Sequence, residues 1–186
     1  MVYMGDALYW DNKFSKRENG LLNPECQLLL DIEQYRFTGT GIELACGDGR
    51  NLIPLAERGF RMTGVDFSPI AMTRLKHFLK NSNVNAEIIL ADLTNKDSFK
   101  MLQQYDFVII NHYKLIPDYY DVLMKHIRPN GYLWVNGFTT IPKKHSAIRR
   151  SDLLQDDDFK GLQDLCIDTK RYQISDKNFT RYLFQK

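Results

Sequence analysis

Several features are scarce in this sequence, and each scarcity excludes a class of protein. The three cysteines form no Cys-x-x-Cys pair, which argues against a disulfide framework and against a zinc site. The formal net charge of +2 is too small to support a general nucleic-acid interface. The longest apolar runs, such as residues 107–110, are too short to span a bilayer, and no signal-peptide pattern opens the chain. We therefore expect a cytoplasmic protein with no membrane segment, no bound metal and no nucleic-acid partner.

The segment 41–51 is the most informative part of the chain, because it combines a short apolar strand, two glycines and the start of a helix. Gly47 and Gly49 have no side chain to keep a ligand away from the backbone, and both tolerate a positive φ. A helix that begins at or just after Gly49 would direct free N–H groups at a ligand over the turn. Glu43, at the end of the strand, would face the same crevice. The alternative is an ordinary tight connection between a strand and a helix.

Strand and helix patterns alternate through five units of the chain. The predicted strands lie near residues 41–44, 61–66, 86–92, 106–111 and 132–138. The predicted helices run near residues 24–36, 50–58, 68–81, 97–104 and from Pro117 to before Pro129, and Asn130-Gly131 predicts a turn. Residues 165–174 and 179–184 predict a hairpin. This order indicates an α/β fold with a doubly wound, mostly parallel seven-stranded sheet of Rossmann-like type, closed by an antiparallel C-terminal hairpin.

Polar side chains follow four consecutive strands of the predicted sheet. They are Glu43, Asp66, Asp92 and Asn111. In open α/β sheets, ligands bind outside the carboxyl ends of the strands, where these four side chains would meet. Asp66 follows Glu43 by 23 residues, about the spacing at which an acidic residue accepts two ribose hydroxyls. Each residue alone is also typical of turn and capping chemistry, but the set beside a glycine turn favours a ligand site.

The neighbouring residues narrow the choice of ligand. A dinucleotide site needs a third small residue after the two glycines, but Leu52 occupies that position. No Gly-Lys-Ser/Thr sequence follows, so a P-loop is absent. Glu43 and Asp48 would also repel a pyrophosphate. The ligand should therefore have a ribose, no phosphate and a positive centre, and S-adenosylmethionine has these features.

Five successive segments resemble the motifs of class I S-adenosylmethionine-dependent methyltransferases, in the order and spacing of that family. They are Ile42–Asn51, Val65–Ser68, Ala91–Leu93, Tyr105–Ile109 and Ile127–Tyr132. The segments 9–14 and 49–59 further resemble the small-molecule branch related to tellurite-resistance and thiopurine-type methyltransferases. The resemblance implies S-adenosylmethionine as the cofactor and a small molecule as the methyl acceptor, and we expect a monomer or a homodimer.

The resemblance also implies roles for individual residues. The implied cofactor contacts are Trp10, Glu43, Ala45, Gly47, Gly49, Asn51, Asp66, Phe67, Asp92, Leu93 and Asn111. Among them, Glu43 and the two glycines would hold the methionine end, and Asp66 would bind the ribose. Phe67 would flank the adenine, Asp92 would accept from its amino group with Leu93 beside it, and Asn111 would lie near the sulfonium. Ala45 stands where the family usually has a glycine, and we expect this small change to be tolerated.

The sequence says less about the residues that would contact the methyl acceptor. Methyl transfer needs a base only when the accepting group must lose a proton. His112 is a candidate base and Tyr113 a candidate acceptor contact, while the alternative for His112 is a loop histidine bonded to backbone. The basic residues Lys143, Lys144, Arg149 and Arg150 would either recognise an anionic acceptor or form a solvated loop.

The chain is interpreted as one domain, residues 1–186, with three parts. Residues 1–37 form a helical lid, 38–138 the cofactor-binding core, and 139–186 a loop and the closing hairpin. For the lid, the alternative is a helix pinned to the core by aromatic side chains. Two other functions stay open: methylation of RNA or protein, and S-adenosylmethionine binding without transfer.

Overall fold

The sheet contains seven strands in the computed structural model, which describes residues 6–142 and 148–186. The strands are β1 (Thr40–Leu44), β2 (Arg61–Asp66), β3 (Glu87–Leu90), β4 (Tyr105–Asn111), β5 (Ile127–Phe138), β6 (Cys166–Ile174) and β7 (Lys177–Gln185). Their order across the sheet is β3-β2-β1-β4-β5-β7-β6. The first five strands pair in parallel, whereas β7 runs antiparallel between β5 and β6. The predicted fold class, including the antiparallel hairpin at the edge, is confirmed.

Five α-helices connect the strands of the described chain. They are α1 (Ala7–Ser15), α2 (Cys26–Gln34), α3 (Leu52–Glu57), α4 (Pro69–Ser82) and α5 (Tyr120–Met124). Short 3₁₀ turns cover Lys96–Met101, Pro117–Tyr119, Arg150–Asp152, Asp156–Phe159 and Gln163–Leu165. None of the described helices has both the length and the apolar character needed to cross a membrane.

Local sequence signals explain where the helices begin. The Ser68 hydroxyl accepts a hydrogen bond from the Ala71 N–H at 3.1 Å and so caps α4, with Pro69 as its first residue. Pro54 lies in the first turn of α3, where its missing N–H costs nothing. That helix begins at Leu52 rather than near Arg50, because the glycine turn continues two residues further than expected.

Strand β5 differs from the prediction because it begins at Ile127 instead of Tyr132. Tyr105 pairs with Ile127 and Phe107 pairs with Tyr132, so residues 128–131 oppose a single residue of β4. The predicted turn at Asn130-Gly131 is therefore a bulge inside the strand. Asn130 has a φ of +65°, and its N–H donates to the Lys186 carbonyl at 2.8 Å.

The two faces of the sheet are both covered, which is why the central strands are apolar without alternation. Along β4, Val108 and Ile110 pack into the core on one face, while Phe107 and Ile109 pack into the core on the other. Helices α2, α3 and α4 supply the second face, and α5 with the 3₁₀ turns supplies the first. This layered arrangement leaves the carboxyl ends of the parallel strands as the open edge.

A buried ion pair fixes β7 against α2. Arg181 on β7 and Asp31 on α2 are both about 99% buried, and Arg181 Nε lies 2.8 Å from Asp31 Oδ2. The Trp134 indole N–H donates to the same oxygen at 2.7 Å. Arg181 also reaches the Asp168 carboxylate at 2.6 Å, and the Tyr35 hydroxyl donates to that carboxylate. The pair therefore joins α2, β5, β6 and β7.

We predict that Asp31→Ala lowers the free energy of unfolding by about 3–5 kcal/mol, because Arg181 loses its fully buried partner and keeps only the partly exposed Asp168, and the Trp134 N–H loses its acceptor. Asp157→Ala is the matched control, since it breaks the exposed Lys160–Asp157 pair and should leave the midpoint of urea unfolding almost unchanged. Equal effects of the two substitutions on that midpoint would contradict the assignment of Asp31 as the buried anchor.

Candidate functional site

A cavity of about 830 Å³ opens at the carboxyl ends of the parallel strands. This volume is within the range of about 300–1,000 Å³ that is usual for small-molecule sites. The four predicted strand-end residues all line it, namely Glu43, Asp66, Asp92 and Asn111. Every predicted cofactor contact except Gly49 lines the cavity, and so do His112 and Tyr113. Within the described residues, no cluster of side chains suited to a metal ion is present.

Gly49 does not line the cavity, because its open side faces helix α4. Gly49 has a φ of +92°, and a Cβ on it would lie 2.5 Å from Leu75 Cδ1 of α4. This glycine therefore permits close packing between the turn and α4. Gly47 has a φ of +57°, and a Cβ on it would meet the Phe14 ring at 2.9 Å. Ala45 also has a positive φ of +55°, the conformation in which the family's usual glycine has no steric penalty.

Glu43 is the most unusual group in the cavity wall. Its side chain is 2% exposed, and Oε1 accepts a hydrogen bond from Asn51 Nδ2 at 2.7 Å. Among the described residues, the buried Oε2 has no hydrogen-bond partner. Burial raises the pKa of the Glu43 carboxyl from 4.5 to about 8, although the Asn51 amide, the Arg50 charge and the Leu52 backbone N–H oppose this rise. The site therefore presents an acceptor oxygen that folding leaves unsatisfied.

Asp66 ends β2 and stabilises the glycine turn from the neighbouring strand. Its two oxygens accept hydrogen bonds from the Gly47 N–H at 2.8 Å and from the Ser68 N–H at 3.0 Å. Burial raises the pKa of the Asp66 carboxyl, and these two N–H groups limit the rise. Each carboxylate oxygen has a second lone pair, so Asp66 can still accept from a ligand.

Asp48 was expected to repel anions, but the structure compensates its charge. The carboxylate is 1% exposed and forms ion pairs with Arg17 at 2.8 Å and with Arg74 at 3.1 Å. Arg74 also donates to the backbone carbonyls of Arg17 and Glu18. Asp48 therefore ties the segment after α1 to α4 and contributes no free negative charge to the cavity.

Helix α1 forms one wall of the cavity. Phe14 is buried against Gly47, and Asp11 accepts a hydrogen bond from the Ser68 hydroxyl at the start of α4. Trp10 and Lys13 line the cavity, with the Lys13 ammonium 4.3 Å from the centre of the Trp10 indole ring. The helix is thus pinned to the core through Phe14 and faces the cavity through Trp10.

The end of β4 belongs to a chain of buried polar groups. Asn136 on β5 donates to the Asn111 side chain at 3.0 Å and accepts from the Tyr172 hydroxyl at 3.0 Å. The same hydroxyl lies 3.2 Å from Glu25 Oε1, and the Glu25 N–H donates to Asn51 at 2.8 Å. Because Asn51 also bonds Glu43, this chain connects the ends of β4 and β5 with the end of β1.

His112 follows β4 with a φ of +56° and stacks on the Phe179 ring, the two ring centres lying 5.0 Å apart. Its Nε2 atom lies 3.5 Å from Glu25 Oε2, too far and too poorly aligned to count as a hydrogen bond. Burial and the charges of Arg50, Lys177 and Lys13 lower the pKa of the His112 imidazole from 6.5 to about 3. The ring is therefore neutral at physiological pH.

Tyr113 and Asp92 also line the cavity. Burial raises the pKa of the Tyr113 phenol, and the nearby carboxylates of Asp92 and Asp66 raise it further. Tyr113 is therefore a neutral contact and not a base. Asp92 accepts from both the N–H and the hydroxyl of Thr94 at 2.8 Å, which orients its carboxylate.

Sequence reasoning missed three residues that lie behind the cavity wall and support residues of the lining. Glu25 was interpreted only as a favourable residue at a helix start, although it is 3% exposed and faces His112. Asn136 was visible only as a polar residue in an apolar run, whereas Tyr172 lies in a largely polar strand that gave no such signal. Of the predicted basic loop, Lys143 and Lys144 lie outside the described residues, while Arg149 lines the cavity.

Comparison with known proteins also indicates a methyltransferase domain. Residues 42–131 match the family model described as a methyltransferase domain. The ubiquinone biosynthesis O-methyltransferase of Rickettsia akari (strain Hartford) is 27% identical over 109 residues, which are 56% of this chain and 42% of that protein. The match thus spans less than half the length of this relative.

Two crystal structures share the fold. TehB from Haemophilus influenzae has a TM-score of 0.69 at 17% identity, covering 95% of this chain and 67% of TehB. The N-methyltransferase NodS from Bradyrhizobium japonicum WM9, in complex with S-adenosyl-L-homocysteine, also has a TM-score of 0.69, at 14% identity, covering 98% of this chain and 99% of NodS. The matched model, the strand order and the ordered motifs agree, and they identify residues 42–131 of the chain as a methyltransferase domain.

Proposed function

We propose that this chain transfers the methyl group of S-adenosylmethionine to a small-molecule acceptor by in-line displacement. The observation that carries this proposal is the unsatisfied Oε2 of Glu43 beside the glycine turn. A buried carboxylate is costly unless a cation or hydrogen-bond donor pairs with it. The ammonium group at the methionine end of the cofactor supplies such a partner.

The remaining lining residues fit the rest of the cofactor. Asp66 has free lone pairs for the ribose hydroxyls while its backbone bonds hold it in place. Phe67 and Leu93 provide apolar surface for the adenine, and Asp92 provides an acceptor for its amino group. Asn111 lies at the β4 end, on the side of the sulfonium.

When bound, S-adenosylmethionine supplies a methyl group on a positively charged sulfur. The contribution of the chain is then to hold the acceptor in line with that group, and such alignment is worth up to about 7–11 kcal/mol in favourable systems. His112 is neutral and is available to accept a hydrogen bond or a proton. A proton on its Nε2 would face Glu25, which leaves Nδ1 as the accepting nitrogen.

Three further parts of the proposal concern the setting of the site. We propose that the chain is a single domain in which residues 1–37 act as the lid, which the position of α1 over the glycine turn supports. A cytoplasmic location is supported by three cysteines that are all free thiols. A monomer or a homodimer is expected.

Glu43→Gln should make the ligand-free protein more stable than the wild type at pH 8. The folded-state pKa of Glu43 is raised, so its stabilising contribution is complete below pH 4.5 and is lost as the pH rises through about 8. The wild type should lose about 1.4 kcal/mol per pH unit from this group within that window, whereas the amide cannot ionise. Urea unfolding at pH 5 and pH 8 measures the difference. A wild type that is as stable as the variant at pH 8 would show that Glu43 is not buried as a weak acid.

Calorimetry with S-adenosylhomocysteine tests the cofactor assignment. The wild type should bind it at micromolar levels, and Glu43→Gln and Asp66→Asn should each weaken binding by about tenfold or more, because each removes a charged acceptor. His112→Asn, which tolerates the positive φ, should leave that affinity almost unchanged and reduce methyl transfer. The assignment fails if the wild type shows no binding.

Methyl transfer is tested separately with labelled S-adenosylmethionine. Label in small molecules supports the proposal. Label found only in RNA or protein supports the alternative that the chain methylates a macromolecule. Binding of S-adenosylhomocysteine with no labelled product in any fraction would identify a cofactor-binding protein without transferase activity.

A further inference from the structure

The charges in the cavity are separated along the order of the strands. Acidic residues stand at the ends of β1, β2 and β3, where they face the cofactor side. The opposite side is reached by β7, which runs antiparallel and therefore brings its first residue, rather than its last, to the same edge. That first residue is Lys177, and it lines the cavity.

Lys177 has no counterion on this side of the cavity. Within residues 6–142 and 148–186, no acidic side chain lies within 4.0 Å of its ammonium. Its charge is close enough to Lys13 and to His112 to lower the pKa of both. The positive potential is therefore uncompensated in the ligand-free protein.

Two carboxylates of the lining, Asp152 and Asp6, accept hydrogen bonds from their own neighbourhoods. Asp152 accepts hydrogen bonds from the Arg149 N–H and the Ser151 hydroxyl, and Asp6 accepts one from the Tyr9 N–H at the start of α1. Asp176 precedes Lys177 in the hairpin turn, but it does not line the cavity. None of these three carboxylates forms an ion pair with the Lys177 ammonium.

The second lysine, Lys13, belongs to the methionine side of the cavity. It lies on α1, which packs through Phe14 on Gly47, and its ammonium lies over the Trp10 ring. The carboxylate at the methionine end of the cofactor can therefore balance Lys13. Lys177, on the other side, is then a positive charge that the cofactor does not balance.

The wall beside Lys177 is aromatic. Phe138 lines the cavity at the end of β5 and packs against Phe179, with ring centres 4.8 Å apart. His112 and Tyr172 both stack on the same Phe179 ring, with ring centres 5.0 Å and 5.4 Å away. These contacts fix a flat apolar surface next to the ammonium, which suits a planar molecule.

We propose that the methyl acceptor is a flat anionic small molecule whose carboxylate or phosphate group binds Lys177 while its ring packs on Phe138. This inference rests on the proposed function and adds the chemical class of the acceptor. Lys177 then sets acceptor specificity, and the bound anion offsets one of the three positive charges that, after burial, lower the pKa of His112. Where the accepting atom carries a proton, that proton passes to His112 as the new bond to the methyl carbon forms and the carbon–sulfur bond breaks.

The test separates a small-metabolite extract by anion exchange before the reaction, and offers each fraction to the full chain with labelled S-adenosylmethionine. Label should enter the retained, anionic acceptors. A phosphatase treatment of that fraction distinguishes the two anions, because it removes phosphate esters and leaves carboxylates. Label that enters only the unretained acceptors, or no labelled small molecule at all, would overturn the inference.

Substitutions in the β6–β7 hairpin test whether Lys177 is responsible for the preference for anionic acceptors. Lys177→Gln should lower kcat/KM for the anionic acceptors by about tenfold or more, since a charged hydrogen bond is lost, and Lys177→Arg should restore most of it. Lys170→Gln is the control, because it removes the same charge from the exposed face of the same hairpin. An unchanged kcat/KM in Lys177→Gln would also overturn the inference.

Binding of S-adenosylhomocysteine separates this inference from the proposed function. All three lysine variants should bind it with the affinity of the wild type. If the wild type itself fails to bind, the proposed function fails. If the wild type binds and transfers label to uncharged acceptors, only the acceptor class is wrong.

Discussion

Glu43 carries a carboxyl group that folding removes from water and only half satisfies. One oxygen is bonded to Asn51, and the other is buried with no partner among the described residues. Asn51 also accepts from the backbone of Glu25, and Glu25 lies beside both Tyr172 and His112. The cofactor half and the acceptor half of the cavity are therefore connected through one buried polar chain. In such a chain, a partner for Glu43 would be felt at Tyr172 and Asn136 as well as at the glycine turn.

The antiparallel strand β7 brings basic and aromatic residues to one side of the cavity. Parallel strands bring their carboxyl ends to the edge, and here those ends carry acids and amides. Because β7 runs the other way, it contributes the start of a strand, with Lys177 and Phe179 beside Phe138. The buried Arg181–Asp31 pair holds this strand against α2. A structural ion pair therefore also determines where the basic side of the cavity lies.

Features that depend on a local sequence pattern, such as strands and helix starts, were predictable from the sequence. The apolar runs predicted the strands, Ser68-Pro69 predicted the start of α4, and the strand-end residues Glu43 and Asp66 were found from their spacing. Pairings between distant residues were not predictable. Asp48 meets Arg17 and Arg74, and Glu25 meets His112, only because α1, α2 and α4 pack around the turn. Gly49 was assigned to the ligand although its tight neighbour is Leu75, since a glycine pattern does not show which side needs the space.

The account depends on a neutral, buried Glu43 that ionises when the cofactor arrives. Its pKa near 8 means that most of the ligand-free protein holds a proton there at pH 7. Calorimetry of S-adenosylhomocysteine binding at pH 7, in buffers with different ionisation enthalpies, counts the protons released. We predict release of nearly one proton per bound molecule in the wild type and almost none in Glu43→Gln. Binding to the wild type without proton release would contradict the account.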